Sequence, residues 1–270
     1  MTTAESDRWR VKPGATVDLT AIDTRSTEGV EGKDEAAMAL PDLHDRLRGL
    51  QERLWAEHTR SLLVVLQAID AGGKDGAIKH LFQGLNPAGA QVVSFKAPSE
   101  EERDHDFLWR IHRRTPGKGE TVVFNRSHYE DVLVVRVQNL APEEVWRPRY
   151  DLINQFEANL TAAGTRIVKI LLHISKDEQA ERFQARIDDP TKCWKFRVGD
   201  LEDRKKWDDY RLAFEEAVSR TSTADAPWYV VPADKKWYRN WAVSHIVVET
   251  LEAVDPQYPP CDEVEGVKIT

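Results

Sequence analysis

Cysteine is nearly absent: Cys193 and Cys261 are the only two in 270 residues. They form no CxxC pair and no metal-ligand spacing, so a disulfide scaffold or a cysteine-built metal centre is excluded. A reducing compartment, the cytoplasm, is the expected location. No stretch is long and apolar enough to span a bilayer, so no membrane role is expected. The N-terminus, MTTAESDRWR, lacks the apolar core of a secretory signal. Positive charge is in deficit as well. With 38 Lys and Arg against 46 Asp and Glu, the formal net charge is −8. That balance argues against nucleic acid as a partner while leaving room for a local basic channel. The chain also has no Gly-x-Gly-x-x-Gly for dinucleotides and no Gly-x-Ser-x-Gly nucleophile turn. There is no internal repeat and no low-complexity segment.

What is present suits a globular α/β domain with a full core, or a domain plus a lid. Apolar runs that fit buried strands alternate with helical patterns. The strands are expected at Leu62–Leu66, Gln91–Lys96, Thr121–Phe124, Arg166–Ile174 and Trp228–Val231. Pro41 is expected to open a helix with Leu43, Leu47, Leu50 and Leu54 on one face. Ser99 to Glu102 has the form of a capping box, and the helix it starts is expected to run through Phe107, Leu108 and Ile111 to about Thr115. Strand–helix alternation implies parallel βαβ units, with ligands bound beyond the C-terminal ends of the strands. The expected organisation is an N-terminal arm over 1–38, a domain over 39–255 with a lid at about 180–215, and a tail over 256–270. Most of the nine Trp read as packing residues.

The chain is organised around Leu62 to Lys79, LLVVLQAIDAGGKDGAIK. A buried strand stops at a glycine turn, and Lys74 stands at the opening of the next helix. Its ammonium, the free N–H groups of the first turn and the helix dipole all favour an anion. The candidate phosphate-binding residues here are Ala71, Gly72, Gly73, Lys74, Asp75, Gly76 and Lys79. The usual phosphate loop has Gly where Ala68 stands and Ser or Thr where Asp75 stands. Asp70 would repel phosphate unless a cation sat between them, which makes it a candidate Mg²⁺ carboxylate. The plainer alternative is a glycine turn with a surface Lys and Asp.

A second motif, Asn125-Arg-Ser-His-Tyr-Glu-Asp131, leaves the third strand. Arg126 could clamp phosphate oxygens with its planar fork, and Asp131 could supply a second metal carboxylate. Asn125, Arg126, Glu130 and Asp131 are the candidate nucleotide contacts. The alternative is that Arg126 pairs with Glu130 or Asp131 on the surface. His128 reads as a structural hydrogen-bonder. A third basic stretch holds Arg182, Arg186, Lys192, Lys195 and Arg204. It suits a helical lid that covers phosphates and excludes water, with a solvated charged hairpin as the alternative. Trp207, Tyr210, Phe214 and Val218 follow helical spacing and read as core; Trp194 is open between core and nucleotide contact.

Taken in order, Asp70-Ala-Gly-Gly-Lys-Asp-Gly76, Asn125-Arg-Ser-His-Tyr-Glu-Asp131, and Trp194-Lys-Phe196 with Asp200, Arg204, Trp207 and Tyr210 resemble the polyphosphate kinase 2 family. The similarity runs from about residue 40 to 255. The resemblance implies an α/β P-loop kinase-like parallel sheet flanked by helices, with a helical lid. It implies transfer of a phosphoryl group between inorganic polyphosphate and adenine or guanine nucleotides with Mg²⁺, or Mn²⁺ in its place, and a homo-oligomeric assembly. It places the catalytic group on Asp70, Lys74, Arg126 and Asp131, with Asp70 and Asp131 holding the metal. The wording of the second motif is similar to the subgroup that phosphorylates both AMP and ADP. The rivals are an ATP-dependent nucleotide or small-molecule kinase and a polyphosphate-binding regulator without catalysis.

Overall fold

Seven consecutive residues, Ser61–Gln67, are all buried and form the middle strand of a wholly parallel sheet. A strand covered on both faces gains from apolar residues at every position, and Leu62-Leu-Val-Val-Leu66 supplies them. The computed structural model describes residues 4–262. In chain order it contains α1 (Lys33–Glu57), β1 (Ser61–Gln67), α2 (Lys74–Leu81), β2 (Ala90–Ser94), α3 (Glu100–Asp104), α4 (Trp109–His112), β3 (Thr121–Asn125), α5 (Val134–Val137), α6 (Glu143–Trp146), α7 (Arg149–Ala162), β4 (Thr165–His173), α8 (Lys176–Ile187), α9 (Gly199–Lys205), α10 (Trp207–Thr221), β5 (Trp228–Pro232) and α11 (Lys236–Val254). The strand order is β2-β3-β1-β4-β5. No described helix is long and apolar enough to cross a membrane.

The period of two along the strands divides the core. Leu62, Val64 and Leu66 face α1, α2 and α11, where Leu43, Leu47, Leu81, Trp241 and Ile246 close one side. Leu63 and Val65 face the other side, closed by Tyr150, Ile153 and Phe156 of α7 and Phe214 and Val218 of α10. Of the expected helical core residues of α10, Tyr210, Phe214 and Val218 are buried, and Trp207 packs at the rim. The N-terminal arm lies on the edge strand: Arg10 bridges Tyr229 antiparallel, and the Val11 amide donates to the Trp228 carbonyl at 2.8 Å.

Three local expectations are corrected. Pro41 lies inside α1, which begins at Lys33. The apolar stripe starts upstream at Ala36, which is fully buried, and packing of α1 on α11 outweighs the hydrogen bond that Pro41 removes. The capping box at Ser99 forms, with both of its hydrogen bonds, but its helix stops at Asp104. Asp106 then forms a turn, accepting from the Leu108 amide at 2.9 Å, ahead of a separate short helix, α4. The helix after Lys74 ends at Leu81 rather than Leu85, because Gln83 and Gly84 turn back on His80 and Leu81. The segment expected as a lid divides. Residues 188–206 connect α8 to α10 and are mostly exposed, whereas Arg182 and most of the inner face of α10 are buried in the body. The expected tail falls partly on residues 263–270, outside the described residues.

Candidate active site

Register places the two principal motifs side by side. Leu66 of β1 pairs with Asn125 of β3, and the Arg126 amide donates to the Leu66 carbonyl at 3.2 Å. The loop after β1 and the turn after β3 therefore leave the same edge together.

The loop curls tightly. Ala71 and Gly73 have positive φ, 62° and 102°. A Cβ on Gly72 would lie 2.4 Å from the Ala68 Cβ, and one on Gly73 would lie 2.3 Å from Arg239 Nη1, so backbone and guanidinium leave no room for a side chain at either position. The Lys74 ammonium donates to the Ala68 carbonyl at 2.8 Å, which holds it over the loop. Burial lowers its pKa, reinforced by Arg126 and opposed by Asp70, Glu130 and Asp75. Two further arginines hold the loop from behind. Arg182 donates to the Ala71 carbonyl at 2.9 Å, and Arg239 to the Gly73 carbonyl at 3.1 Å. Burial and the neighbouring Arg182 push Arg239 down to about 10.

Arg126 reaches across to Asp70 at 2.7 Å and lies 3.6 Å from Glu130. It does not point away on the surface. Its φ of 63° is left-handed for a non-glycine residue, a strain of about 1–3 kcal/mol of the kind found at functional turns. Burial raises the Glu130 carboxyl above the usual carboxylate range despite the attraction of Arg126 and Lys74, and Asp70 adds to the rise. Asp70, Lys74, Arg126 and Glu130 therefore form one cluster.

Asp131 does not join it. Its carboxylate pairs with Arg149 at 3.0 Å, and the Arg149 guanidinium also donates to the Asp131 carbonyl. Burial raises its pKa, and the charges that oppose the rise are Arg149, Arg110 and His128. The structure thus groups Asp70 with Glu130 around Arg126, where the sequence reading paired it with Asp131. The segment His128–Asp131 is a 3₁₀ turn, in which successive side chains point about 120° apart.

The basic residues also separate. Arg182 is 8% exposed, with its Nη2 on the carbonyls of Ala233 and Asp234 at 2.6 and 3.1 Å and its Nε on Glu178. Its donors are engaged by backbone carbonyls and Glu178, so it supports the loop. Arg182→Met is expected to cost about 3 kcal/mol, or roughly 5–10 °C in Tm. Melting of the purified variant checks this, and the KM for a polyanion is expected to hold. Arg204 likewise meets the Gln179 side chain at 3.0 Å, and Gln179 donates to the Asp70 carbonyl at 2.9 Å. Asp75 accepts from Asn125 at 3.0 Å and Lys195 at 3.2 Å, which ties the β3 end and the 188–206 segment to α2. Lys192 pairs with Asp189 within the 188–206 segment, and Arg186 meets the Lys195 carbonyl at 3.3 Å. Lys79 and Gly76 are exposed on α2, and Trp194 is 73% exposed, so it is not core.

Several neighbours escaped the sequence reading. Gln67 is fully buried and donates to Ser127 at 3.1 Å beside Glu130. Gln138 bonds the Tyr210 hydroxyl at 3.1 Å and also Asp203, and the charges of Asp70 and Asp203 both act on Tyr210. Arg239 follows β5 far along the chain, with no local signal to connect it to Gly73. Among the described residues no cluster of three or more His, Cys, Asp and Glu could hold a metal by itself.

Comparison with known proteins places this geometry. Residues 31–259 match the family described as Polyphosphate kinase 2. The chain is 56% identical over 253 residues to an AMP/ADP-polyphosphate phosphotransferase of Meiothermus ruber, covering 93% of this chain and 95% of that protein. It is 46% identical to an ADP-polyphosphate phosphotransferase of Rhodopseudomonas palustris, covering 94% and 92%. The crystal structure of polyphosphate kinase 2 from Arthrobacter aurescens superposes with a TM-score of 0.92 at 44% identity, over 96% of this chain and 93% of that one.

Proposed function

The chain belongs to the polyphosphate kinase 2 family, and on that premise we propose that Asp70, Lys74, Arg126 and Glu130 carry out phosphoryl transfer from inorganic polyphosphate to AMP and ADP. The observation that supports this site is the Arg126–Asp70 contact, which joins the β1 loop and the β3 turn in one cluster with Lys74 and Glu130.

The chemistry requires two polyanions to meet. At ~4 Å and an effective dielectric near 20, two unit charges repel by about 4 kcal/mol. Lys74 and Arg126 supply two positive charges, and Asp70 and Glu130 supply two negative ones, so the cluster by itself is balanced. Two carboxylates with substrate phosphate oxygens and water are the donor set that suits Mg²⁺, or Mn²⁺ in its place. When bound there, the ion supplies charge neutralisation and alignment of the reacting phosphoryl group. This chain's residues do the rest. The first turn of α2 presents backbone N–H groups to phosphate, and Lys74 keeps two further donors for its oxygens. Arg126 spans between Asp70 and Glu130, so its fork lies where charge spreads during transfer. The nucleotide's terminal phosphate oxygen is already ionised near neutral pH. It forms a bond to the end phosphorus of polyphosphate while the bridging P–O bond breaks, and the shortened polyphosphate leaves as an anion. Lys195 of the lid, held on Asp75, lies where closure would exclude water.

Polyphosphate as the only phosphoryl donor tests the reading. AMP is expected to yield ADP and then ATP, as resolved by anion exchange. Excess EDTA is expected to stop both steps, and added Mg²⁺ to restore them. Activity untouched by EDTA would remove the metal from the account. ATP acting as donor while polyphosphate is inert would favour an ATP-dependent kinase. Binding of polyphosphate without turnover would favour the regulator.

A further inference from the structure

The turn that presents Arg126 and Glu130 is tied to a charged network inside the core, which the reaction itself does not use. Between those two residues lie His128 and Tyr129, both fully buried. Both end on the same carboxylate. The His128 Nε2 is 3.2 Å from Glu157 Oε1, and the Tyr129 hydroxyl donates to that oxygen at 2.8 Å. Glu157 of α7 is in turn held by Lys169 of β4 at 2.5 Å, and the Lys169 ammonium also donates to the Tyr129 hydroxyl at 3.0 Å and to the Thr221 carbonyl at 2.6 Å. Neither Lys169 nor Glu157 reaches solvent.

An ion pair placed so deeply is not explained by stability. Desolvation of two charges offsets most of their attraction, and apolar pairs of similar volume often serve a core equally well. Burial pushes the Glu157 carboxyl up, but Lys169 and His128 pull it further down, so it stays ionised. An ionised carboxylate buried at a fixed point accepts hydrogen bonds of strict length and direction. The adjacent strain at Arg126 needs such an anchor, because a left-handed arginine relaxes unless its surroundings hold it.

We propose that Glu157, fixed by Lys169, is a positioning residue for phosphoryl transfer: through His128 and Tyr129 it sets the turn on which Arg126 and Glu130 face the phosphate loop. This rests on the function proposed above, and it extends the site to a pair of residues that touch no substrate. The sequence places Tyr129, Glu157 and Lys169 on three separate elements, β3's following turn, α7 and β4, so only the fold brings them together.

The test uses the full chain. Tyr129→Phe removes one hydroxyl and leaves the ion pair in place; His128→Phe cuts the other link. The Glu157→Gln/Lys169→Met double variant removes both charges but keeps an amide oxygen for His128 and Tyr129. Peptide-resolved hydrogen exchange is read first, because it needs no turnover. Each single variant is expected to speed exchange about tenfold in the peptide holding residues 125–131 and not elsewhere. Measured well below the melting temperature, kcat is expected to fall about tenfold with both KM values held within about twofold. The double variant, which lacks both the ionised acceptor and the lysine that fixes it, is expected to show the same faster exchange over 125–131 and the same loss of kcat. Unchanged exchange over 125–131 in both single variants, or a kcat loss that merely follows the unfolded fraction, overturns the proposal. If the native chain forms no nucleotide product from polyphosphate, it is the proposed function that fails, and the exchange result still decides the anchoring.

Discussion

Lys74→Ala is expected to reduce turnover of AMP and ADP with polyphosphate about a thousandfold, the scale seen when one pre-aimed donor to a transferring or oxyanionic group is removed. The expectation follows from placement. Lys74 stands at the start of α2, held over the loop by the Ala68 carbonyl, with Asp70, Glu130 and Arg126 as its charged neighbours. No other lysine of the described chain meets that loop, since Lys195 is engaged with Asp75 and Lys169 is sealed in the core. Methionine at 74 tests the charge while keeping the stem, and it is expected to behave like alanine. Both variants should keep the circular dichroism and melting of the native chain, because the loop itself is held by Arg182 and Arg239 from behind. Turnover within about tenfold of native in either variant would remove Lys74 from the transferring phosphate.

Glu130→Gln is expected to reduce turnover about a hundredfold or more, while Asp131→Asn costs less than about tenfold. The two residues are adjacent in sequence and chemically alike, so the contrast isolates geometry. Glu130 shares the charges of Lys74, Arg126 and Asp70; Asp131 shares those of Arg149 and Arg110. Asp131→Asn keeps a side-chain oxygen for Arg149, and because burial raises the Asp131 pKa, it is expected to melt near the native temperature. Glu130 shifts in the same direction as Asp131, since burial raises both carboxyls. Its folded pKa is raised, so the protonated form is favoured by folding; the stability it contributes is present at low pH and is lost as pH rises through the folded pKa. At neutral pH its charge therefore costs stability, and Glu130→Gln is expected to melt at or above the native temperature. Equal losses in the two variants would contradict the assignment.

The parts of this protein that follow from local pattern were legible in its residues. β1 announces itself as a continuous apolar run ended by Gly72-Gly73-Lys74, and the alternation with helices predicts the parallel sheet that the strands form. The three motifs, in order, point to the family that the comparisons establish. What was not legible depended on direction. A 3₁₀ turn sends Glu130 toward the loop and Asp131 away from it, and a choice between two adjacent carboxylates cannot be read without knowing that turn. Arg182 lies on a basic helix face that suits a phosphate channel, but α8 enters the body, and its guanidinium meets three backbone carbonyls before it meets solvent. Arg239 is joined to Gly73 only by the folding of α11 against α2. Pro41 looked like a helix start because its fixed φ suits one. The buried Ala36 upstream shows that tertiary packing carried the helix past it.

The most direct measurement gives the purified native chain Mg²⁺, long-chain polyphosphate as the sole donor and AMP, with Lys74→Ala and Glu130→Gln in parallel, and follows all three nucleotides with time. The native chain is predicted to form ADP first and ATP after it, and the two variants to form neither at a comparable rate while remaining folded. AMP left unchanged by the native chain, or ADP and ATP accumulating equally in all three samples, would contradict the account.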